Sequence, residues 1–361
     1  MYQILILCDT LYQIILAIQM KETIFEKKCV DIWISDHSVG ADKIVNRLKE
    51  YGRFRNVTFI SSREVVYSKK TSDKVKNLFY YGFGHNYSSD LPDYDEVIFH
   101  GLSVFSCGLY FYLNKRNVNT KWSSYEEGIL SYDTDLPGGK SVKMLDAVFS
   151  IMGKKKIRNA IEQYYCVFPE LKRRSNKSNT WEIVKIPDFN YNNGRIRDIL
   201  ALVFDFADMD IKQKYIFFTS SSDWDGRPYG EKEMVLKIAD IVGSENLIIK
   251  KHPRDKNEYS LKNITTMNSD GVPWEIFQLC SDVAGKVLIT VDSGSFLSVS
   301  AIKESNAKGV FIFPMVQDKR AKYECFVRRD KNIRDILDHL HAMRKCQDIL
   351  ILSELESLKT I

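Results

Sequence analysis

The sequence has no run of about 18 uncharged apolar residues, so no part of it reads as a helix that spans a bilayer. Its opening, MYQILILCDT, has no basic n-region and meets Asp9 almost at once, which reads as a strand rather than a signal peptide. The seven cysteines (Cys8, Cys29, Cys107, Cys166, Cys280, Cys325, Cys346) are odd in number and form no CxxC pair. That argues against a disulfide framework and a structural zinc site, and for a reducing compartment, hence the cytoplasm. No GxGxxG follows the first strand and no GxxxxGKS/T occurs, so dinucleotide and P-loop chemistry are not expected. DSGSF lacks the GxSxG form of a hydrolase elbow. His339 and His341 stand two apart, on different faces of a helix, which argues against a metal pair. The Asp-x-Asp triplets at 133–135, 208–210 and 223–225 resemble metal-binding pairs, but such triplets arise by chance in any charged chain. Basic residues do not interleave with aromatics in a nucleic-acid pattern outside residues 150–180.

What the sequence does contain is apolar material for two cores. With 361 residues, 44% of them apolar and 27% charged, it fits two domains of roughly 150–180 residues. Apolar runs alternate with helical spacing: ILILC (4–8) and then LYQIILAIQM, VDIWIS and then ADKIVNRLKEYG, VTFIS, EVIFHG, and NTKWSSYEEG. The second half repeats this with KYIFFTS, NLIIKKHP, KVLITVDSGSFLSVSAI and KGVFIFP, and closes in two segments, 333–345 and 348–358, expected as helices. Strands alternating with helices predict parallel sheets covered on both faces. The stretch 175–200, rich in Asn, reads as an interdomain linker. The expected division is a first domain over 1–185 and a second over 200–361, with the last helix able to pack back on the first. Two such domains imply a cleft between their sheets, and ligands in open α/β sheets sit beyond the carboxyl ends of strands.

Four strand ends carry chemistry. In KKHPRD (250–255), Pro253 holds His252 extended at a strand end, with Lys250, Lys251 and Arg254 around it. Such a His can donate a hydrogen bond or a proton to a phosphate; the plainer alternative is a His-Pro turn. In TVDSGSFLSVSAI (290–302), Ser293, Gly294 and Ser295 stand where a strand passes into a helix, and a helix N-terminus suits a phosphate. Either serine could equally be a plain cap. In YEEG, the adjacent Glu126 and Glu127 could raise one carboxyl toward a useful base, or form an ordinary acidic loop. Thr10 and Gln13 stand at the first strand–helix junction, as cleft donors or as a cap.

Net charge is +5, and it concentrates between 150 and 180, where eight Lys/Arg face two Glu. This segment suits an anionic lipid surface or an anionic acceptor, unless it is only a solvated face.

Taken together, the acidic-acidic-Gly motif, the His-Pro motif, the later Ser-rich motif and the start TLYQIILAI resemble bacterial sialyltransferases of two Rossmann-like domains (GT-B architecture). The likeness is to the lipooligosaccharide sialyltransferases and the capsule polysialyltransferases. Leu11 replaces a proline of the family's opening, and SGS departs from an adjacent Ser-Ser/Thr pair. The resemblance implies an inverting enzyme that moves sialic acid from a CMP-sugar donor to a glycan hydroxyl in lipooligosaccharide or surface polysaccharide synthesis, with no metal and no cofactor. It implies Glu126 or Glu127 as base, with Glu126 preferred, and His252 stabilising or protonating the departing CMP. Ser293 and Ser295 would hold the donor phosphate, Lys251, Pro253 and Gly294 would belong to the donor site, Glu275 would take the ribose, and Thr10 and Gln13 would line the sugar or acceptor side. From the cysteines and the basic segment, apart from the resemblance, the expectation is a cytoplasmic protein with peripheral contact to the inner membrane as an option. A CMP-Kdo or other nucleotide-sugar transferase, a teichoic-acid-type polyol-phosphate transferase, and a nucleotide-binding scaffold of capsule assembly are the rival readings.

Overall fold

A computed structural model describes the chain except residues 1, 39, 64–69, 117–118, 129–130, 133–135, 137–138, 176–180, 188–193, 208, 260–261, 268–271 and 303–305. The described residues form two compact units, the first carrying strands β1–β7 and the second β8–β13.

In the first unit, β1 (Gln3–Cys8), β2 (Cys29–Ser35), β3 (Asn56–Ile60), β4 (Glu96–Phe99), β5 (Lys121–Tyr125), β6 (Ile161–Cys166) and β7 (Glu182–Lys185) build one sheet in the order β3-β2-β1-β4-β5-β6-β7. Every pairing is parallel. Its helices are α1 (Leu11–Glu22), α2 (Ala41–Tyr51), α3 (Thr71–Gly82), α4 (Val104–Lys115), α5 (Lys140–Ile151), α6 (Ile157–Ala160) and α7 (Pro169–Ser175); α8 (Gly194–Phe204) follows β7. The uninterrupted apolar run of β1 is buried, as a central parallel strand covered on both faces requires. α1 is apolar nearly all round and buried from Tyr12 to Lys21.

The second unit has β8 (Tyr215–Phe218), β9 (Leu247–Lys250), β10 (Thr265–Thr266), β11 (Val287–Thr290), β12 (Lys308–Phe311) and β13 (Ile349–Ile351), again all parallel, in the order β10-β9-β8-β11-β12-β13. Its helices are α9 (Glu231–Val242), α10 (Trp274–Cys280), α11 (Ser295–Ile302), α12 (Gln317–Arg320) and α13 (Glu324–Ala342). The expected fold class, α/β with two Rossmann-like parallel sheets, is the one observed. The order reverses at β1/β4 in one sheet and at β8/β11 in the other, and these switch points are where strand ends diverge to leave room for a ligand.

Three readings need correction. The basic stretch 150–180 is not one face: Lys154, Lys155 and Lys156 are exposed, but β6 follows, and Lys172 is 2% exposed, its Nζ bonded to the Tyr132 carbonyl and 4.5 Å from the Tyr164 ring. Lys177 and the side chains of Arg173 and Arg174 lie outside the described residues. The stretch 175–200 is more than a linker, because β7 pairs with β6 and α8 begins at Gly194. The segment 348–358 is not a helix: it gives β13 and then a short 3-10 helix, Leu355–Thr360, whose Leu358 carbonyl accepts the Tyr215 hydroxyl at 3.1 Å.

Candidate functional site

The first unit's candidate chemistry lies just past β4 and β5. Side chains in a strand alternate between faces, so neighbouring residues at a strand end face different surroundings. Glu126 is 1% exposed. Its Oε1 accepts the Tyr12 hydroxyl at 2.7 Å, and its Oε2 accepts the Val167 amide at 2.9 Å and the Tyr132 hydroxyl. Burial raises its pKa, and the three donors oppose that rise. Glu126 therefore ties the end of β5 to α1 and to the end of β6, with almost none of its surface exposed. Glu127 differs: its side chain is 36% exposed, and Oε2 takes His100 Nε2 at 3.0 Å. His100 Nδ1 meets the Tyr125 carbonyl at 2.8 Å. Acceptors on both nitrogens favour the doubly protonated ring. Burial works against that charge, but Glu127 and the carbonyl outweigh it and raise the pKa.

His100 is the candidate residue that the sequence reading missed. A polar residue closing the buried run EVIF was its one signal. Thr10 and Gln13 form a reciprocal cap on α1. Thr10 Oγ1 accepts the Gln13 amide at 3.4 Å, while Gln13 Oε1 accepts the Asp9 amide at 2.6 Å and the Thr10 amide at 3.3 Å. In this structure, then, their side chains serve the helix start.

In the second unit, His252 and the serine turn follow β9 and β11, the two strands that flank β8. The His252 amide donates to Thr219 Oγ1, just past β8, at 2.8 Å. The Arg254 amide donates to His252 Nδ1 at 3.1 Å, so Nδ1 is an acceptor and the proton of the neutral ring sits on Nε2. Burial and the Arg254 charge lower the His252 pKa. His252 is thus a neutral N–H donor rather than a ready proton source. The cations around it are engaged: Lys250 Nζ with the Val272 carbonyl at 3.0 Å, Lys251 Nζ with the Asn257 carbonyl at 2.9 Å, and the Arg254 guanidinium with Asp225 at 2.9 Å. Pro253 is exposed on the turn. Burial brings Glu275, in the first turn of α10, up to about 7 and Lys250 down to about 8, each partly offset by the other's charge. Asp223 and Asp225 of the DWD triplet hold Asn257 and Arg254; residues 133–135 and Asp208 lie outside the described residues.

At the other flank, the Ser293 amide donates to Thr290 Oγ1 at 3.0 Å and the Ser293 and Ser295 hydroxyls lie 3.1 Å apart. Gly294 offers its carbonyl to the Leu297 and Ser298 amides and so starts α11. Asp292, just before the turn, is held by Arg320, which is 1% exposed and bonds Asp292 at 2.9 Å and Asp330 at 2.5 Å. The loop past β8 is fixed by Glu231, whose Oε2 accepts the Ser220 amide at 2.8 Å and whose Oε1 accepts the Tyr229 hydroxyl at 2.7 Å. Burial pushes Glu231 up to about 8. A neutral imidazole donor and a helix N-terminus thus follow the two strands that flank β8, and each is of a kind that suits an anion. No group of three or more His, Cys, Asp or Glu among the described residues could hold a metal ion.

Two Rossmann-like parallel units in one chain are the make-up of the GT-B fold. Among solved structures, UDP-GlcNAc 2-epimerase from Neisseria meningitidis, bound to UDP-GlcNAc, is 10% identical with a TM-score of 0.50, over 86% of this chain and 82% of that one. Arabidopsis thaliana UGT89C1, complexed with UDP-L-rhamnose, is 11% identical (TM-score 0.48, 88% and 81% covered), and the spinosyn forosaminyltransferase SpnP is 10% identical (TM-score 0.48, 99% and 88% covered). At such identities the likeness is one of fold. No protein-family model and no curated protein matches the chain.

Proposed function

We propose that the chain is a metal-independent inverting glycosyltransferase that moves sialic acid from CMP-sialic acid to a glycan hydroxyl. The observation that carries this reading is the pair of strand ends flanking β8, where His252 presents a neutral Nε2–H and the Ser293–Ser295 turn opens α11. Both suit the phosphate of a departing nucleoside monophosphate. Preorganised donors of this kind are worth roughly 3 kcal/mol each to a transition state.

In this reading Glu127, rather than the buried Glu126, is the base. His100 holds Oε2, and Oε1 takes no hydrogen bond among the described residues. The acceptor hydroxyl gives its proton to Glu127, and its oxygen bonds to the anomeric carbon as that carbon's bond to phosphate breaks. The electron pair leaves on CMP, which His252 and the α11 amides stabilise. Ser293, Gly294 and Ser295 bind the phosphate. Glu275 takes the ribose hydroxyls as a partly protonated acid, and Lys251 and Pro253 shape the turn that carries His252.

A donor screen tests this: titration calorimetry with CMP, CDP, UDP and GDP, with hydrolysis of CMP-sialic acid as a second readout. CMP preference with slow hydrolysis of the sialic acid donor is the expected result. Preference for UDP or GDP assigns another transferase, and absence of nucleotide binding leaves a scaffold; either overturns the proposal.

A further inference from the structure

The first unit carries an apolar strip edged by cations. On α5 and its C-cap Met152, Met144, Val148, Ile151 and Met152 recur at helical spacing on one side, while Val142, Leu145 and Phe149 face the core. Ile151 is 86% exposed, and Met144 and Met152 are about half exposed. α3 lies alongside, close enough that a Cβ on Gly82 would stand 2.8 Å from a Leu145 methyl. It exposes Val75, Phe79 and Tyr80. Stacked and edge-on rings join the helices: Phe79 to Phe83 at 6.0 Å, Phe83 to Phe111 at 5.1 Å, and Phe111 to Phe149 at 5.3 Å.

The charge at this strip is mainly positive. Lys70, Lys74 and Lys76 accompany α3, against Asp73. Lys140, Lys143, Lys154, Lys155, Lys156 and Arg158 accompany α5 and the turn after it, where the one acid, Asp146, is buried. Exposed apolar groups at this density mark an interaction surface.

We propose that this face docks the chain on a bilayer of anionic phospholipid. Ile151, Met152 and Phe79 enter the headgroup–acyl boundary, and the lysines lie over the lipid phosphates, their stems covering apolar surface. A second copy of the chain fits poorly. A two-fold contact would set the same lysines of two copies against each other. No helix among the described residues is long and apolar enough to cross a membrane, so the docking is to the surface.

The test is co-sedimentation of the full chain with vesicles of phosphatidylcholine alone or mixed with phosphatidylglycerol, without any sugar nucleotide, so its outcome is independent of the donor reading. Retention on the mixed vesicles only is expected. The triple variant Lys154→Gln, Lys155→Gln, Lys156→Gln loses affinity on the order of a hundredfold. The double variant Ile151→Ser, Met152→Ser loses it on the order of tenfold or more. All five positions are exposed, and circular dichroism checks that the fold persists. Equal retention on neutral vesicles, no retention on either kind, either variant binding like the parent, or a dimer in sedimentation velocity that the double variant dissolves would each overturn the proposal.

Discussion

Two neighbouring carboxylates divide the work at the end of β5. Glu126 accepts three hydrogen bonds and holds three segments together, whereas Glu127 keeps one oxygen on His100 and its other oxygen takes no hydrogen bond among the described residues. Glu127→Gln should lower turnover by about 10²–10⁴-fold while leaving the urea midpoint almost unchanged. Glu126→Gln should keep more of the turnover but cost about 1–3 kcal/mol of stability, because an amide cannot accept at both ends. Comparable losses of turnover without loss of stability in both variants would remove this division. The adjacency of the two acids was legible in the sequence. The period of two along a strand was the available signal that only one would face solvent. Which one it would be depended on Tyr12, Tyr132 and Val167, which are distant in sequence from one another or unremarkable as letters.

The two histidines should give opposite pH signatures. An unfolded imidazole titrates near about 6.5. His100 is held above that value, so its contribution to stability is full below about 6.5 and fades as pH rises through the folded value. His252 is held below it, so its contribution is present above about 6.5 and is lost as pH falls toward the folded value. Urea midpoints at pH 6 and pH 9 for the parent, His100→Gln and His252→Gln check this. The first variant should lose relatively more stability at pH 6, and the second should narrow the loss of stability on acidification below pH 6.5.

At the scale of elements, the packing of α4 against the end of α3 rests on one glycine. A Cβ on Gly108 would stand 1.8 Å from the Tyr81 carbonyl oxygen, a backbone atom that can yield only if the helices separate. Gly108→Ala should therefore cost about 1–3 kcal/mol or more, read as a lowered urea midpoint of the first unit. An unchanged midpoint would mean that α3 is free to move. Elements legible in the sequence were those with one unambiguous pattern, such as β1 with its apolar run ILILC or the Gly-stopped α2 and α9. β6 was not, because IEQYYC carries Glu and Gln. Its buried polar atoms find distant partners, Gln163 on Glu182 and the Tyr165 hydroxyl on Glu96 at 3.0 Å. Segment 348–358 was misread because a short apolar run fits helix and strand alike, and only the register of Gly309 with Ile349 decides.

For the whole molecule, two units with separate sheets and cores give a simple ligand signature. If CMP is held by the strand ends around β8, it stabilises the second unit alone. At a hundredfold excess over Kd that gain is about 2.7 kcal/mol. Calorimetry should show the transition of the second unit moving upward with CMP while that of the first stays in place. A shift confined to the first unit would transfer the nucleotide site there. The overall class, two parallel α/β units, could be read from the alternation of strands and helices alone. The roles of His100, Glu231 and Arg320 could not, since each acts through contacts made between segments.

Every pairing in both sheets is parallel, and that has a cost during synthesis and refolding. No strand can zip onto its neighbour through a tight hairpin, so each must first close a long excursion of chain and lose the entropy of doing so. Such topologies acquire their order late and leave sticky strand flanks uncovered meanwhile. Recovery from denaturant should accordingly take seconds rather than milliseconds and should improve when the protein is dilute and cool.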